Sequence, residues 1–224
     1  LGQALVDRAH TRGAPLDTQL TVIHPATGSP GPLGHGRRFN GSRPLHVLSV
    51  GRLHWSKGYQ YALDAIASLR RQGIPVEYRV VGDGDLLEAI AFWRHQLGLD
   101  DVVHLVGAAS PGEVAHHYLW ADVVLHSAVT EGFGNVAIEA QAQGVPVVCT
   151  DAGGLSENVQ DGVTGLVVPR RNPEALRDAL ERIATVPGLH QRLSGAGPSR
   201  VDRLFRLDHQ LDAWERFYED ALRK

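Results

Sequence analysis

Cysteine, methionine and aromatic residues are scarce in this chain of 224 residues. It has one cysteine (Cys149), no methionine and 6% aromatic residues. A single cysteine excludes an internal disulfide framework and is typical of a reducing compartment. No signal peptide is recognisable, and no apolar run approaches the roughly 20 residues that a spanning helix needs, so we expect a cytoplasmic protein. Because the chain begins at Leu1 and lacks methionine, we expect it to be a piece of a longer protein.

Basic residues are not in excess, and the usual motifs of hydrolytic and metal sites are missing. The formal net charge is −3 and the pI about 6.5, which gives no reason to expect nucleic acid or an anionic membrane as a partner. The 12 histidines form no His-Glu-x-x-His motif, and no Gly-x-Ser-x-Gly motif is present. Cys149 lies in an apolar run and is expected in the core. We therefore expect no metal site and no nucleophilic hydrolase.

Gly, Pro and Ser are concentrated before residue 45, and a regular alternation of apolar runs and amphipathic segments follows. We interpret residues 1–44 as an irregular linker. The pattern then predicts strands at 45–51, 76–82, 102–107, 122–127, 145–150 and 164–169. A helix is predicted after each strand, the last from about Pro173. This alternation requires right-handed crossovers and predicts a doubly wound parallel sheet, an α/β Rossmann-like domain over residues 45–186.

Residues 187–224 are expected to form C-terminal helices outside this domain. In the last stretch, LDHQLDAWERFYEDALRK, four apolar residues fall on one helical face, namely Leu211, Trp214, Tyr218 and Leu222. We expect this face to dock on an apolar surface.

The loops after the strands are where a ligand is expected, because doubly wound sheets bind ligands beyond the carboxyl ends of their strands. The first of these loops, GRLHWSKG, contains Arg52 and Lys57. Arg offers a planar fork and Lys a point charge, and together they could neutralise a diphosphate. Two solvated surface cations are the alternative. The position at the binding edge, between Gly51 and Gly58, favours the diphosphate site.

Two glutamates and a glycine-rich turn mark the loop after the fourth predicted strand. In EGFGNVAIEA, the helix that begins near Gly134 points free N–H groups and a partial positive charge at the turn, which suits a phosphate. Glu131 would be repelled by a phosphate and is better suited to accept hydrogen bonds from sugar hydroxyls. Glu139 could serve another set of hydroxyls, such as a ribose diol. Alternatively, Glu131 caps the helix and Glu139 is a solvated surface residue, but the apolar run around Glu139 argues against that.

Three other features have more than one interpretation. Asp83 and Asp85 in the GDGD turn could hold Mg²⁺ or Mn²⁺ against a diphosphate, but we favour a tight turn in which Asp85 caps the next helix. Gly153 and Gly154 either extend the pocket or only turn the chain. His126 could contact a substrate, although a packed loop histidine is the interpretation that we favour.

Together these motifs resemble the C-terminal, donor-binding half of GT-B glycosyltransferases, specifically the retaining family 4 group. The matched stretches are VGRLHWSKG, VVGDGDL, VHLVG, ADVVLHS, EGFGNVAIEAQAQGVPVVCTDAGGLSENVQDGVTGLVV and the helix after Pro173. They occur in the order of the family and cover about residues 45 to 186. Where the family usually has Pro-Ser after the fourth strand, this chain has His126-Ser127.

The resemblance implies a site for a UDP-, GDP- or ADP-sugar, with no cofactor and no bound metal. The residues that it assigns to the donor are Arg52, Lys57, Gly132, Phe133, Gly134, Asn135 and Glu139. Glu131 would contact hydroxyls of the donor sugar, and Glu139 would take the ribose. Arg52, Lys57 and Glu131 would be the catalytic residues. The family transfers sugar with retention, so stabilisation of the leaving diphosphate by the two cations and the helix N-terminus would be the main catalytic contribution.

The resemblance also implies what the chain lacks. Residues 1–44 are too short to form the acceptor domain of a GT-B enzyme, so we expect a donor-binding domain of a hexosyl-type transferase that is inactive alone. The C-terminal helix would contact the missing N-terminal half, which would hold a carbohydrate or lipid-linked acceptor and any peripheral membrane attachment. The alternative is a non-catalytic nucleotide-sugar-binding module or regulatory subunit. An NAD-dependent oxidoreductase is disfavoured, because the glycine fingerprint is incomplete and follows the wrong strand.

Overall fold

The computed structural model describes residues 39–222 together with Thr11, Ile23, Pro25 and Ala26. Its strands are Leu45–Val50 (β1), Val76–Val81 (β2), Val103–Gly107 (β3), Val123–His126 (β4), Val147–Thr150 (β5) and Gly165–Val168 (β6). Its helices are Tyr59–Arg71 (α1), Leu87–Gln96 (α2), Pro111–Trp120 (α3), Asn135–Ala142 (α4), Leu155–Asn158 (α5), Pro173–Thr185 (α6), Leu189–Leu204 (α7) and Leu207–Leu222 (α8). The predicted linker, residues 1–44, lies mostly outside the described residues.

The strands form one parallel sheet in the order β3-β2-β1-β4-β5-β6. The direction in which the chain adds strands reverses between β1 and β4, which pair through Val47 with Val123 and Leu48 with Val124. Each predicted strand is present within two residues of its predicted bounds. The prediction of a doubly wound α/β fold is therefore confirmed.

Both faces of the sheet are covered, which explains why its central strands are mostly apolar and do not alternate regularly with polar residues. Successive side chains of a strand point to opposite faces. In β1, Val47 packs in the cluster that contains residues of α1 and α6, whereas Leu48 packs with Tyr118 of α3 and Ala137 of α4. With its faces buried, the sheet leaves its strand ends and the loops beyond them as the accessible edge.

The prediction that Asp85 caps the helix after β2 is wrong. The cap position of α2 is Leu86, and no side chain caps this helix. The first amides of the helix find backbone acceptors instead: Leu86 N donates to the carbonyl oxygen of Leu53 at 3.1 Å, and Leu87 N donates to that of Gly84 at 3.1 Å. Because one of these acceptors belongs to the loop after β1, a local sequence pattern could not reveal it.

The two C-terminal helices differ in how they are packed. Helix α7 is anchored on the domain, for example where Ser194 Oγ donates to the carbonyl oxygen of Gly144 at 2.5 Å. Helix α8 has no buried residue among those that the structure describes. Its exposed large apolar residues are Leu207, Leu211, Trp214, Phe217, Tyr218 and Leu222. The predicted apolar face is therefore present on α8, and it is exposed.

Within residues 39–222, none of the helices has the length and apolar composition that crossing a bilayer requires.

Candidate functional site

The candidate site lies where the strand order reverses. The carboxyl ends of β1 and β4 are adjacent there, because the two strands are parallel neighbours in the sheet. The loops that leave them, residues 51–58 and 127–134, diverge toward helices on opposite faces. A crevice at this point is the usual ligand site of doubly wound folds.

Tight backbone contact between these two loops positions Lys57. The loop after β1 ends in a short helical turn, Trp55–Lys57, which is closed by Gly58 with φ of 65°. A Cβ on Gly58 would lie 2.2 Å from the carbonyl oxygen of Ser127, so only glycine allows this approach. Ser127 Oγ in turn donates to the carbonyl oxygen of Lys57 at 2.9 Å. The backbone of Lys57 is therefore held against the end of β4.

Lys57 and Glu131, 74 positions apart in the chain, form an ion pair across the crevice. Lys57 Nζ donates to Glu131 Oε2 at 2.5 Å, with side-chain exposures of 22% and 13%. His126, the last residue of β4, places its Nε2 3.2 Å from the same oxygen and is only 5% exposed. That nitrogen is close to the carboxylate without hydrogen-bonding alignment, so it has no hydrogen-bond partner among the described residues.

Opposing influences set the pKa of Glu131. Burial alone would raise it, because a buried carboxylate loses hydration. The nearby donors and charges of His126 and Lys57 outweigh burial and lower the pKa from 4.5 to about 2. Since the His126 N–H is not aligned, the hydrogen bond that holds the carboxylate is the one from Lys57. Glu131 is therefore an anion at neutral pH and an acceptor of hydrogen bonds, not a proton donor.

Arg52, the second predicted cation, lies on the rim of the crevice. It is exposed, two residues beyond the end of β1. Among the residues that the structure describes, it has neither an ion-pair nor a hydrogen-bond partner. The structure thus brings Lys57 and Glu131 together and leaves the guanidinium of Arg52 available to a ligand.

The turn 131–134 presents its backbone to the crevice and sends Phe133 into the interior. Gly134, with φ of 89°, precedes α4, and no side chain caps this helix. The alternative that Glu131 is the cap is therefore wrong; its Oε1 accepts from Gly132 N at 3.0 Å. The Phe133 ring packs edge-on against Phe205, with centroids 6.1 Å apart. The ring of Phe133 is therefore directed away from the crevice.

The loop after β5 packs against the backbone of the turn 131–134. A Cβ on Gly153 would lie 1.9 Å from the carbonyl oxygen of Glu131, and Gly153 has φ of 55°. Asn158 is fully buried and its Nδ2 donates to the carbonyl oxygen of Phe133. Gln141 Nε2 donates to the carbonyl oxygen of Asn158 at 3.0 Å. The loop that contains Gly153 and Gly154 thus holds the turn in place. The sequence analysis did not identify Asn158 or Gln141 as residues that hold this turn.

Glu139 is held by a residue that sequence reasoning did not single out. It is half-buried on α4, and its Oε2 accepts from Tyr118 Oη at 2.8 Å. Burial, followed by the charge of Glu139, raises the pKa of the Tyr118 phenol well above its usual range, so the phenol stays a donor. The alternative of a freely solvated surface carboxylate does not hold. At 1.5 Å of rise per residue, Glu139 lies roughly 6 Å along the helix from Asn135.

Within the described residues, the two carboxylates of the GDGD turn do not belong to a metal-binding group of side chains. Asp83 Oδ1 accepts from Gly84 N at 2.7 Å, and Asp85 is exposed. Within the described part of the chain, no group of three His, Cys, Asp or Glu side chains is close enough together to hold a metal ion.

Comparisons with known proteins agree with this architecture. D-inositol 3-phosphate glycosyltransferase of Actinosynnema mirum is 38% identical over 181 residues, which cover 75% of this chain and 43% of that protein. Sucrose-phosphate synthase from Thermosynechococcus elongatus is 27% identical, with a TM-score of 0.82 over 97% of this chain and 56% of its own. Anabaena HepE in complex with UDP-glucose is 23% identical, with a TM-score of 0.73 over 80% of this chain and 50% of its own.

The solved structures that resemble the chain are GT-B glycosyltransferases. The chain spans less than half the length of the curated relative that it matches. The model of the family described as Glycosyl transferases group 1 matches residues 37–200. The chain belongs to the Glycosyl transferases group 1 family.

Proposed function

We propose that this chain is the donor-binding domain of a retaining glycosyltransferase that uses a nucleoside-diphosphate sugar. The observation that carries the proposal is the pairing of Lys57 with Glu131 at the strand-order reversal, directly before the N-terminus of α4. One crevice thus offers a cation, a carboxylate that stays ionised, and the start of a helix that no side chain caps. A sugar diphosphate needs all three kinds of group.

The diphosphate is expected between the cations and the start of α4. Lys57 and the exposed Arg52 would neutralise its charge, and the backbone from Gly132 to Asn135 would hold it, with the N–H groups of Gly134 and Asn135 donating to its oxygens. A helix N-terminus with uncapped amides favours an anion through both hydrogen bonding and its partial positive charge. No side chain caps α4, so none competes for its first amides, whereas the amide of Gly132 donates to Glu131 in the absence of ligand.

Each carboxylate would bind a different ring of the donor. Glu131, an acceptor next to the diphosphate position, would take hydroxyls of the sugar. Glu139, farther along α4, would take the ribose diol. The Tyr118 hydroxyl already donates to one oxygen of Glu139, which orients the carboxylate and leaves its other oxygen for the ligand.

Stabilisation of the leaving group would be the main contribution to rate. When the bond from the anomeric carbon to the phosphate oxygen breaks, the electron pair stays on the diphosphate, whose negative charge rises. Lys57, Arg52 and the start of α4 would be in place to stabilise that charge. We propose that the step needs no bound metal ion, because these groups supply the positive charge. The acceptor oxygen would form the new bond to the anomeric carbon on the same face of the sugar, and its proton would pass to the departing phosphate oxygen.

The acceptor is proposed to bind between this domain and another part of the enzyme. The exposed apolar face of α8 supports this, because a helix with a row of large apolar residues and no buried one needs a partner surface. A carbohydrate or a lipid-linked sugar is the proposed acceptor class, with hexosyl transfer as the reaction. Peripheral membrane association, if present, is proposed to come through that other part. The chain alone is expected to bind the donor and to transfer sugar poorly or not at all.

Calorimetric titration of the chain with UDP, GDP and ADP, with and without Mg²⁺, tests the proposal. We expect one nucleoside diphosphate to bind without metal, and Glu139→Ala to weaken it about tenfold through loss of the ribose contact. Glu215→Ala, an exposed carboxylate on α8, is the matched control and should leave Kd unchanged. Absence of binding by any nucleotide, or binding only with Mg²⁺, would contradict the proposal. Efficient sugar transfer by the isolated chain would contradict the proposal that the acceptor site needs another part of the enzyme.

A further inference from the structure

His126 is a buried side chain aimed at the candidate site with no assigned role. It ends β4, is 5% exposed, and its Nε2 has no hydrogen-bond partner among the described residues. An unpaired ring nitrogen in the interior is unfavourable, because the desolvation of a polar atom is not compensated. The nearest acceptor is Glu131 Oε2 at 3.2 Å, and Lys57 already donates to that oxygen at 2.5 Å. Two donors thus face one carboxylate oxygen.

Donor binding would change this balance. This inference rests on the proposed function, in which the diphosphate of the donor attracts Lys57. Glu131 would then lose its counterion while 87% of its side chain is shielded, and removing one partner of a shielded ion pair is strongly destabilising. His126 is the donor within reach that could compensate.

We propose that His126 is a positioning residue that takes over the Glu131 carboxylate when Lys57 moves to the donor diphosphate. Its Nε2–H would align with Oε2 and keep Oε1 directed at the sugar hydroxyls. Four ionisable groups face His126. Lys57 and Tyr59 line the same small pocket as His126, Glu131 lies beside it, and Cys149 is its partner in the register of β4 with β5. Burial raises the pKa of both Tyr59 and Cys149, so neither carries charge near neutral pH. The exchange therefore involves only the lysine, the carboxylate and the imidazole.

The first test uses the free protein and does not depend on nucleotide binding. Lys57→Met removes the competing donor, and ring ¹H–¹⁵N spectra of His126, assigned with His126→Gln, report the state of Nε2. We expect Lys57→Met to give an Nε2–H signal that is shifted downfield and protected from exchange with water, and Lys57→Met/Glu131→Gln to lose it. Arg192→Met, which removes an exposed cation elsewhere, is the control. No hydrogen bond from His126 in Lys57→Met would overturn the proposal.

The second test measures the affinity for two ligands that attract Lys57. The probes are the nucleoside diphosphate that binds and its glucose ester. His126→Leu should raise the Kd of both about tenfold, because either ligand draws Lys57 away from Glu131 and the imidazole is no longer there to replace it. His126→Gln can place an amide N–H near the position of Nε2 and should restore most of the affinity. Equal losses in both variants, together with equally lowered unfolding temperatures, would indicate packing alone and overturn the proposal.

The two tests separate this inference from the proposed function. If no nucleotide binds any variant, the proposed function fails, and the spectra alone decide whether His126 is the second partner of Glu131. If nucleotide binds but His126→Leu leaves its Kd unchanged, the proposed function stands and the role of His126 is refuted.

Discussion

The Glu131→Gln substitution removes the charge of the carboxylate from the site and leaves the size of the side chain almost unchanged. A fall of the pKa of Glu131 from 4.5 to about 2 corresponds to about 3 kcal/mol of stabilisation by the ionised form, at about 1.4 kcal/mol per pKa unit. The side chain is only 13% exposed, so solvent screening reduces this figure little. We expect a contribution of about 2 to 3 kcal/mol to the free energy of unfolding.

The sign of the pH dependence follows from the direction of the shift. A carboxylate whose pKa is lowered by folding contributes its full stabilisation above its unfolded pKa, here 4.5, and loses it as the pH falls through the folded pKa near 2. The difference in unfolding free energy between the wild type and Glu131→Gln should therefore be constant above about pH 5.5. It should shrink by about 2 kcal/mol between pH 5 and pH 2.5.

Urea unfolding at constant ionic strength, followed by tryptophan fluorescence, measures this difference. Glu215→Gln, at an exposed position of α8, is the control for loss of a surface carboxylate. Taking differences between variants removes the contribution of all other acidic groups, which protonate in each protein alike. A difference that stays constant down to pH 3, or that matches the one for Glu215→Gln, would refute the lowering of the Glu131 pKa by its neighbours His126 and Lys57.

Two further predictions concern the support of the site turn. Asn158→Ala removes the buried donor to the carbonyl oxygen of Phe133, so chemical unfolding should show a loss of about 2 kcal/mol, and nucleotide affinity should fall because the turn is released. Unchanged stability would contradict the role of this bond. Gly153→Ala places a Cβ against the carbonyl oxygen of Glu131 and should lower the unfolding free energy by about 3 kcal/mol or more. Gly162 has a similar φ but open space around it, so Gly162→Ala should lower the unfolding free energy by only about 1 kcal/mol. Equal losses in the two variants would show that the positive φ, and not the contact with Glu131, causes the destabilisation.

The elements that the sequence predicted well are those set by local composition. The apolar β-branched runs of β1, β4 and β5 are buried on both faces, so each reads as a strand on its own, and the helices between them require right-handed crossovers. These two facts are enough for a parallel sheet covered by helices, whereas the reversal of strand order between β1 and β4 is seen only in the assembled sheet. The loops at its carboxyl edge follow directly, which is why the predicted residues Lys57 and Glu131 lie in one crevice.

The parts that could not be predicted depend on contacts between distant segments. The expected cap at Asp85 is replaced by an amide that donates to Leu53, about 30 positions earlier. The Lys57–Glu131 pair requires the approach of Gly58 to Ser127, which no pattern within either loop encodes. The sequence marks His126 as a residue that could contact a substrate and as a departure from a common Pro-Ser pair, but a packed loop histidine is the interpretation that it favours. A buried polar residue at the end of a strand indicates a functional site, but its burial is known only once the sheet is assembled.

The ion pair in the free site bears on which ligand the site selects. Lys57 and Glu131 are both largely shielded from solvent, and each compensates the charge of the other. A ligand that attracts only the lysine, such as a free diphosphate, exchanges Lys57 for His126 as the partner of the carboxylate and gives its second oxygen no new partner. A ligand with hydroxyls alone meets a carboxylate that is already satisfied. On the proposed function, a sugar diphosphate is the one ligand that offers both side chains new partners at once, so the pair favours the intact donor over either of its halves.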